Sequence, residues 1–214
     1  MRLHYPFGFS ACLLLVLLAG CAKKSSPTDA TLEAGVYTNR FFAIKVLIPE
    51  GWTVNNQESF NRAKEVGTKI VSGGDKQAEA VMKASEPRTK QLLWVSEKPV
   101  GAPVEMNRSL ILAAEDLAGA PGVQTGNDYF FHALKVVTGP GKPLKQLNEP
   151  FKVTLGPKEF YRVDMEAKLM GRDFRQGYFA AVEKESALML IVTAESAEKI
   201  DEILGRAGLP MKKP

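Results

Sequence analysis

The chain has 214 residues, 45% of them hydrophobic and 24% charged, with 28 Lys and Arg set against 24 Asp and Glu. The net charge of +4 is mild for this length, and no basic stripe is interleaved with aromatics, which argues against nucleic acid as a partner. Two cysteines and two histidines leave little material for thiol or metal chemistry.

The first element in chain order reads as a secretion signal: Arg2 and His4 in a short polar start, then an apolar run over 11–20. A transmembrane helix needs about 20 apolar residues; this run is about half that and stops at Lys23 and Lys24. Leu18-Ala19-Gly20-Cys21 resembles a bacterial lipobox. The resemblance implies removal of residues 1–20 and a lipid anchor on Cys21, a diacylglyceryl thioether usually joined by an amide-linked chain. Stable attachment needs two or more acyl chains. An ordinary signal, cleaved or not, is the alternative, although Leu18 stands where a small residue is wanted. A lipid site at Cys12 would leave the apolar core 13–18 behind the cut. By the same resemblance, Ala22 after the modified cysteine implies outer-membrane sorting in a Gram-negative cell.

Cleavage would discard Cys12, His4 and Arg2, consume Cys21, and leave His132 as the one histidine at a net charge of +3. No cysteine-ligated or paired-histidine metal site is then expected, and no cofactor. Residues 21–34 are polar and aperiodic and read as a flexible tether, in which Lys23 and Lys24 would lie beside anionic headgroups. Residues 35–214 are enough for a single domain.

The domain opens with strands. Val36 and Tyr37, then Phe42, Ile44, Val46 and Ile48 at period two, lead to a turn at Pro49-Glu50-Gly51, with Trp52 and Val54 beyond it. Phe60, Ala63, Val66, Gly67 and Ile70 fit one helix face, and Asp75 suits the cap of a second helix through Met82. Strands follow over 91–96 and 109–114. Thr125-Gly126-Asn127-Asp128 resembles a capping box before a helix carrying Phe130, Ala133, Leu134 and Val137. Residues 138–150, rich in Gly, Pro and Lys, read as loop. Tyr161, Val163, Met165, Ala167 and Leu169 then alternate with Arg162, Asp164, Glu166 and Lys168, as in a strand with one wet face. A turn at 170–173 leads to a strand over 174–182, a central strand over 187–192, and a last helix with Ile200, Ile203, Leu204 and Ala207 inward. Gly208 caps that helix. The order indicates an α+β domain: an αβα sandwich, mainly antiparallel sheet flanked by helices.

Tyr37-Thr38-Asn39 followed by Phe42-Ala43-Ile44-Lys45-Val46-Leu47-Ile48-Pro49-Glu50-Gly51-Trp52 resembles the opening of PsbP-like domains. Gly177-Tyr178, then Leu190-Ile191-Val192-Thr193-Ala194 leading into Ser196 and a helix, is similar to their ending. The likeness spans most of 35–209 and implies the same sandwich and a non-catalytic history. Relatives include an extrinsic subunit of photosystem II and, by fold, a nuclear-import factor that binds a GTPase. The lipobox departs from the photosynthetic subunit, and no partner-binding or metal residue matches position by position.

Few constellations could carry chemistry. Asp164 and Glu166 lie about 7 Å apart on one strand face, a pair that could serve glycoside hydrolysis. Beside Arg162 and Lys168, they read first as a solvated, charge-balanced face. Ser196-Ala197-Glu198-Lys199 matches S-x-x-K, but without S-D-N or K-T-G it reads as a helix cap. His132 reads as a surface or half-buried side chain, since no nucleophile motif accompanies it. Gly139-Pro140-Gly141-Lys142 fails the phosphate-loop spacing and reads as a solvated loop, with a basic docking surface at Lys142 and Lys145 as the second reading. Trp52 and Trp94 read as core. The expected function is a membrane-anchored, non-catalytic binding or accessory module with a protein partner in the cell envelope. The alternative is a small-ligand binder or hydrolase built on Asp164 and Glu166 or on His132.

Overall fold

Three helices start where a side chain satisfies their first N–H groups. A computed structural model describes residues 25–169 and 172–213. In it, Asp75 accepts from the backbone of Gln77 and Ala78 to open α2 (Lys76–Ser85), after α1 (Gln57–Ser72). Thr125 and Asp128 form the reciprocal capping box of α3 (Gly126–Val137), and Ser196 accepts from Lys199 N to open α4 (Ala197–Arg206). The S-x-x-K serine is thus a helix cap. At the far end of α4, Gly208 turns with φ of 71°, and Leu209 N reaches back to Leu204 O at 2.9 Å.

The strands are β1 (Ala30–Glu33), β2 (Val36–Asn39), β3 (Ile44–Leu47), β4 (Thr53–Val54), β5 (Thr89–Ser96) and β6 (Ser109–Asp116), then β7 (Leu144–Gln146), β8 (Phe151–Leu155), β9 (Lys158–Leu169), β10 (Arg172–Glu183), β11 (Ser186–Ala194) and β12 (Met211–Lys212). All pair antiparallel. One sheet runs β1-β2-β3, and a nine-stranded sheet runs β12-β8-β9-β10-β11-β6-β5-β4 with β7 on β9. The domain is therefore α+β, with mostly antiparallel sheets flanked by helices. The strand expected over 187–192 is central, between β10 and β6. Its hairpin with β10 closes through Lys184 and Glu185, both at positive φ (51° and 59°), the backbone a two-residue turn needs to follow the strand twist.

Both faces of the large sheet are covered. On one, Leu93, Leu110, Leu190 and Phe179 pack with Ile200, Ile203 and Leu204 of α4 and with Phe42, Ile44 and Val46 of the small sheet. On the other, Val163, Met165 and Ala180 pack beneath Phe130 of α3, with Val71 of α1 nearby. α3 sits unusually close to the sheet. A Cβ on Gly126 would land on the backbone carbonyl of Ala180, so only glycine permits this approach.

Four departures from expectation follow. Ala30–Glu33, expected within the tether, forms β1 against β2, and the buried Asn39 donates to Pro27 O at 2.8 Å. Leu144–Gln146, expected within a loop, is β7 in register with β9, and Phe151–Leu155 adds β8. The supposed wet face of β9 is covered: Arg162 is 2% exposed and Asp164 8%. Lys142 is no free docking lysine, because its Nζ meets Asp75 Oδ2 at 2.7 Å and Ser72 O at 3.3 Å, closing the α1–α2 corner. Residues 1–24, which include Cys12, Cys21, Lys23 and Lys24, lie outside the described residues.

Candidate ligand-binding groove

The carboxylates expected as a pair are separated in role. Asp164 Oδ1 accepts from Arg162 Nε at 2.8 Å, Oδ2 accepts from Asn148 Nδ2 at 2.8 Å, and its N–H donates to Asn148 Oδ1 at 3.1 Å. Arg162 also reaches Asp201 of α4 at 2.6 Å and lies 5.3 Å from the Phe179 ring. Charge balance and hydrogen bonds are what let Arg162 and Asp164 be buried. Glu166 is half-buried, opposite Arg175 of β10 and Lys145 of β7 in register. Lys145 itself is exposed. Trp94 is buried against Phe60 (centroids 5.9 Å apart), and the half-buried Trp52 packs on the core.

His132 is exposed on α3, and the concavity it lines was not legible from the sequence. Between α2 and α3 runs a groove of about 460 Å³, within the size range of ligand sites. Val81 and Met82 of α2 form one wall, Ala133 and Val136 of α3 the other, and Leu117 and Val123 rim it. The rim loop is held by backbone hydrogen bonds, with Leu117 N donating to Glu185 O of the β10–β11 turn at 2.8 Å and Val123 N to Ala120 O at 3.0 Å.

Polar groups gather at the floor. Glu115 of β6, its side chain 12% exposed, accepts from the Tyr129 hydroxyl at 2.8 Å and meets Arg88 at 3.5 Å. Tyr129 Oη also lies 2.7 Å from Met189 Sδ. Burial, reinforced by the Glu115 charge, pushes the Tyr129 pKa well above its usual value, so at neutral pH it remains a donor. Arg88, 48% exposed, is the accessible charge.

Beneath α3 lies a second space of about 130 Å³, lined by Val71, Phe130, Leu134, Val163, Met165 and Ile191 among others. Tyr129, Ala133 and Val137, a stripe along α3, line both spaces and mark where a neck between them would lie. Arg88, Glu115 and Ala133 carry no local motif; they are brought together from the turn after α2, from β6 and from α3.

Among the described residues, no cluster of three or more His, Cys, Asp or Glu could hold a metal ion, and no helix is long and apolar enough to cross a membrane.

No protein-family model matches the chain, and no curated protein matches it in sequence. Among solved structures it is similar to a protein of unknown function from Pseudomonas aeruginosa, at 15% identity and TM-score 0.34, over 51% of this chain and 69% of that one. It is also similar to LpqN of Mycobacterium tuberculosis, described as involved in cell envelope biogenesis, at 11% identity and TM-score 0.33, over 59% of this chain and 79% of that one. Both likenesses are partial.

Proposed function

We propose that the chain is a lipoprotein, anchored through Cys21 to a membrane of the cell envelope, whose PsbP-like domain binds a ligand without transforming it. The groove between α2 and α3 carries this reading. Its walls are apolar, its floor holds few polar groups, and Glu115 and Tyr129 are already engaged with each other. The hydrolase alternative loses support because Asp164 is committed to Arg162 and Asn148. The protein-docking role for Lys142 loses support because that lysine closes a corner of the fold. Binding of a small apolar or amphipathic ligand is what the groove favours, and the lipobox and Ala22 support placement on an outer membrane.

Two measurements test the reading. Intact mass of the purified protein should show a chain beginning at an acylated Cys21; an unmodified cysteine there refutes the anchor. An environment-sensitive apolar dye should bind once per chain, and Ala133→Trp, which plugs the neck, should remove that binding while the far-ultraviolet circular dichroism stays unchanged. Dye binding unaltered by Ala133→Trp refutes the groove as the site.

A further inference from the structure

We infer that the occupant of the groove is a single-chain anionic amphiphile, its alkyl chain passing the neck into the space beneath α3 and its head group pairing with Arg88. This deepens the ligand-binding reading above and rests on it.

The chain end of such a ligand has a matching space. An apolar cavity of roughly 150 Å³ stays dry and takes up a benzene-sized group; the space beneath α3 is comparable at about 130 Å³ and almost wholly apolar in its lining. The two spaces adjoin along the stripe of α3 where the small Ala133 stands between the larger Tyr129 and Val137, and a passage at Ala133 would suit one chain better than two.

The head end has a matching charge. Glu115 is nearly buried and already accepts from Tyr129, whereas Arg88 is half exposed and touches Glu115 only at 3.5 Å. The guanidinium fork is therefore the charge a ligand meets, and it favours carboxylate or phosphate.

The position points to a lipid source. Thr28, Met82 and Ser85 line one crevice of about 530 Å³, and Met82 and Ser85 also line the groove. The segment that leads to Cys21 thus borders a crevice that shares these α2 residues with the groove. Ser25, the first described residue, is four residues from Cys21, a reach of at most about 14 Å of extended chain. An anchored domain would hold the groove near the bilayer, where single-chain amphiphiles are released.

The test uses the full chain in nanodiscs of zwitterionic lipid, with empty nanodiscs to subtract partition into the bilayer. Hexanoate, octanoate, decanoate and dodecanoate are titrated by calorimetry, alongside a lysophosphatidylglycerol series. Dissociation constants should fall about fourfold per added methylene until the space beneath α3 is full, then level off. Arg88→Gln should weaken binding about fivefold at every chain length without changing the slope. Ala133→Trp should abolish the slope. Tighter binding by the carboxylates identifies free fatty acid as the source, and tighter binding by the lyso-lipids identifies the phospholipid. A slope indifferent to chain length, or affinities unmoved by Arg88→Gln, overturns the inference. If the amphiphiles fail while the dye still binds at the neck, only the ligand class falls; if both fail, the groove reading falls with it.

Discussion

Changing Asp164 to asparagine tests the most unexpected feature of the fold, a charged cluster inside the face packed on α4. The substitution removes the charge opposite Arg162, whose side chain is 3% exposed, and leaves the partly exposed Asp201 as the remaining anion beside it. It also turns one acceptor into a donor. Oδ2 now accepts from Asn148 Nδ2, while Asn148 Oδ1 is held by the backbone N–H of residue 164. An amide there sets donor against donor, and flipping Asn148 only moves the conflict to the backbone. Breaking a buried ion pair costs about 3–5 kcal/mol, and the surviving Asp201 contact places this case near the lower end, at about 3 kcal/mol. For a domain of this size that is a fall of roughly 6–12 °C in the unfolding midpoint. Glu166→Gln, two residues along on the same face but half-buried, should cost no more than about 0.5 kcal/mol. Paired chemical-denaturation curves for the two variants and the parent decide the matter. If Asp164→Asn costs no more than Glu166→Gln, the cluster is solvated and the burial described above is incorrect.

Two further outcomes are expected. Gly126→Ala forces its methyl into the Ala180 carbonyl, so α3 must lift; the loss should reach about 3 kcal/mol by urea unfolding, and a change under about 1 kcal/mol would contradict the close approach. Glu195, held by the Arg108 fork, has its pKa lowered from 4.5 to about 2. Because the folded value lies below the unfolded one, the contribution is complete above about pH 4.5 and is lost as pH falls toward 2. Its side chain is 41% exposed, so screening holds the effect below about 1 kcal/mol. Glu195→Gln should flatten the unfolding midpoint across that acid window, and parallel pH profiles for parent and variant would refute the assignment.

What the sequence discloses here is what is local. Asp75, Thr125, Ser196 and Gly208 each act on backbone within a few residues, so their spacing announces three helix starts and one helix end. The alternation along β9 places Val163, Met165 and Ala167 on one face, and they do lie together under α3. The same alternation misleads about the opposite face. A charged residue looks solvated unless its neutralising partners are known, and those of Arg162 and Asp164 include Asp201, 39 residues from Arg162, and Asn148, 16 from Asp164. β7 has three residues and β1 four, too few for a period to emerge, so pairing with a neighbour defines them. The groove is harder still. Arg88, Glu115, Tyr129 and Ala133 share no motif, and only the packing of α2 and α3 over β6 makes them neighbours.

The large sheet ends at β4 and β12, strands of two residues each. An open sheet offers unsatisfied N–H and C=O groups at its margins, and another molecule can zip onto a long margin. β4 pairs only Val95 and Ser96 of β5, and β12 only Thr154 and Leu155 of β8, so each caps one end of a longer margin. For a protein proposed to be crowded with its own copies on a membrane, such caps would hinder strand exchange between neighbours only at those ends.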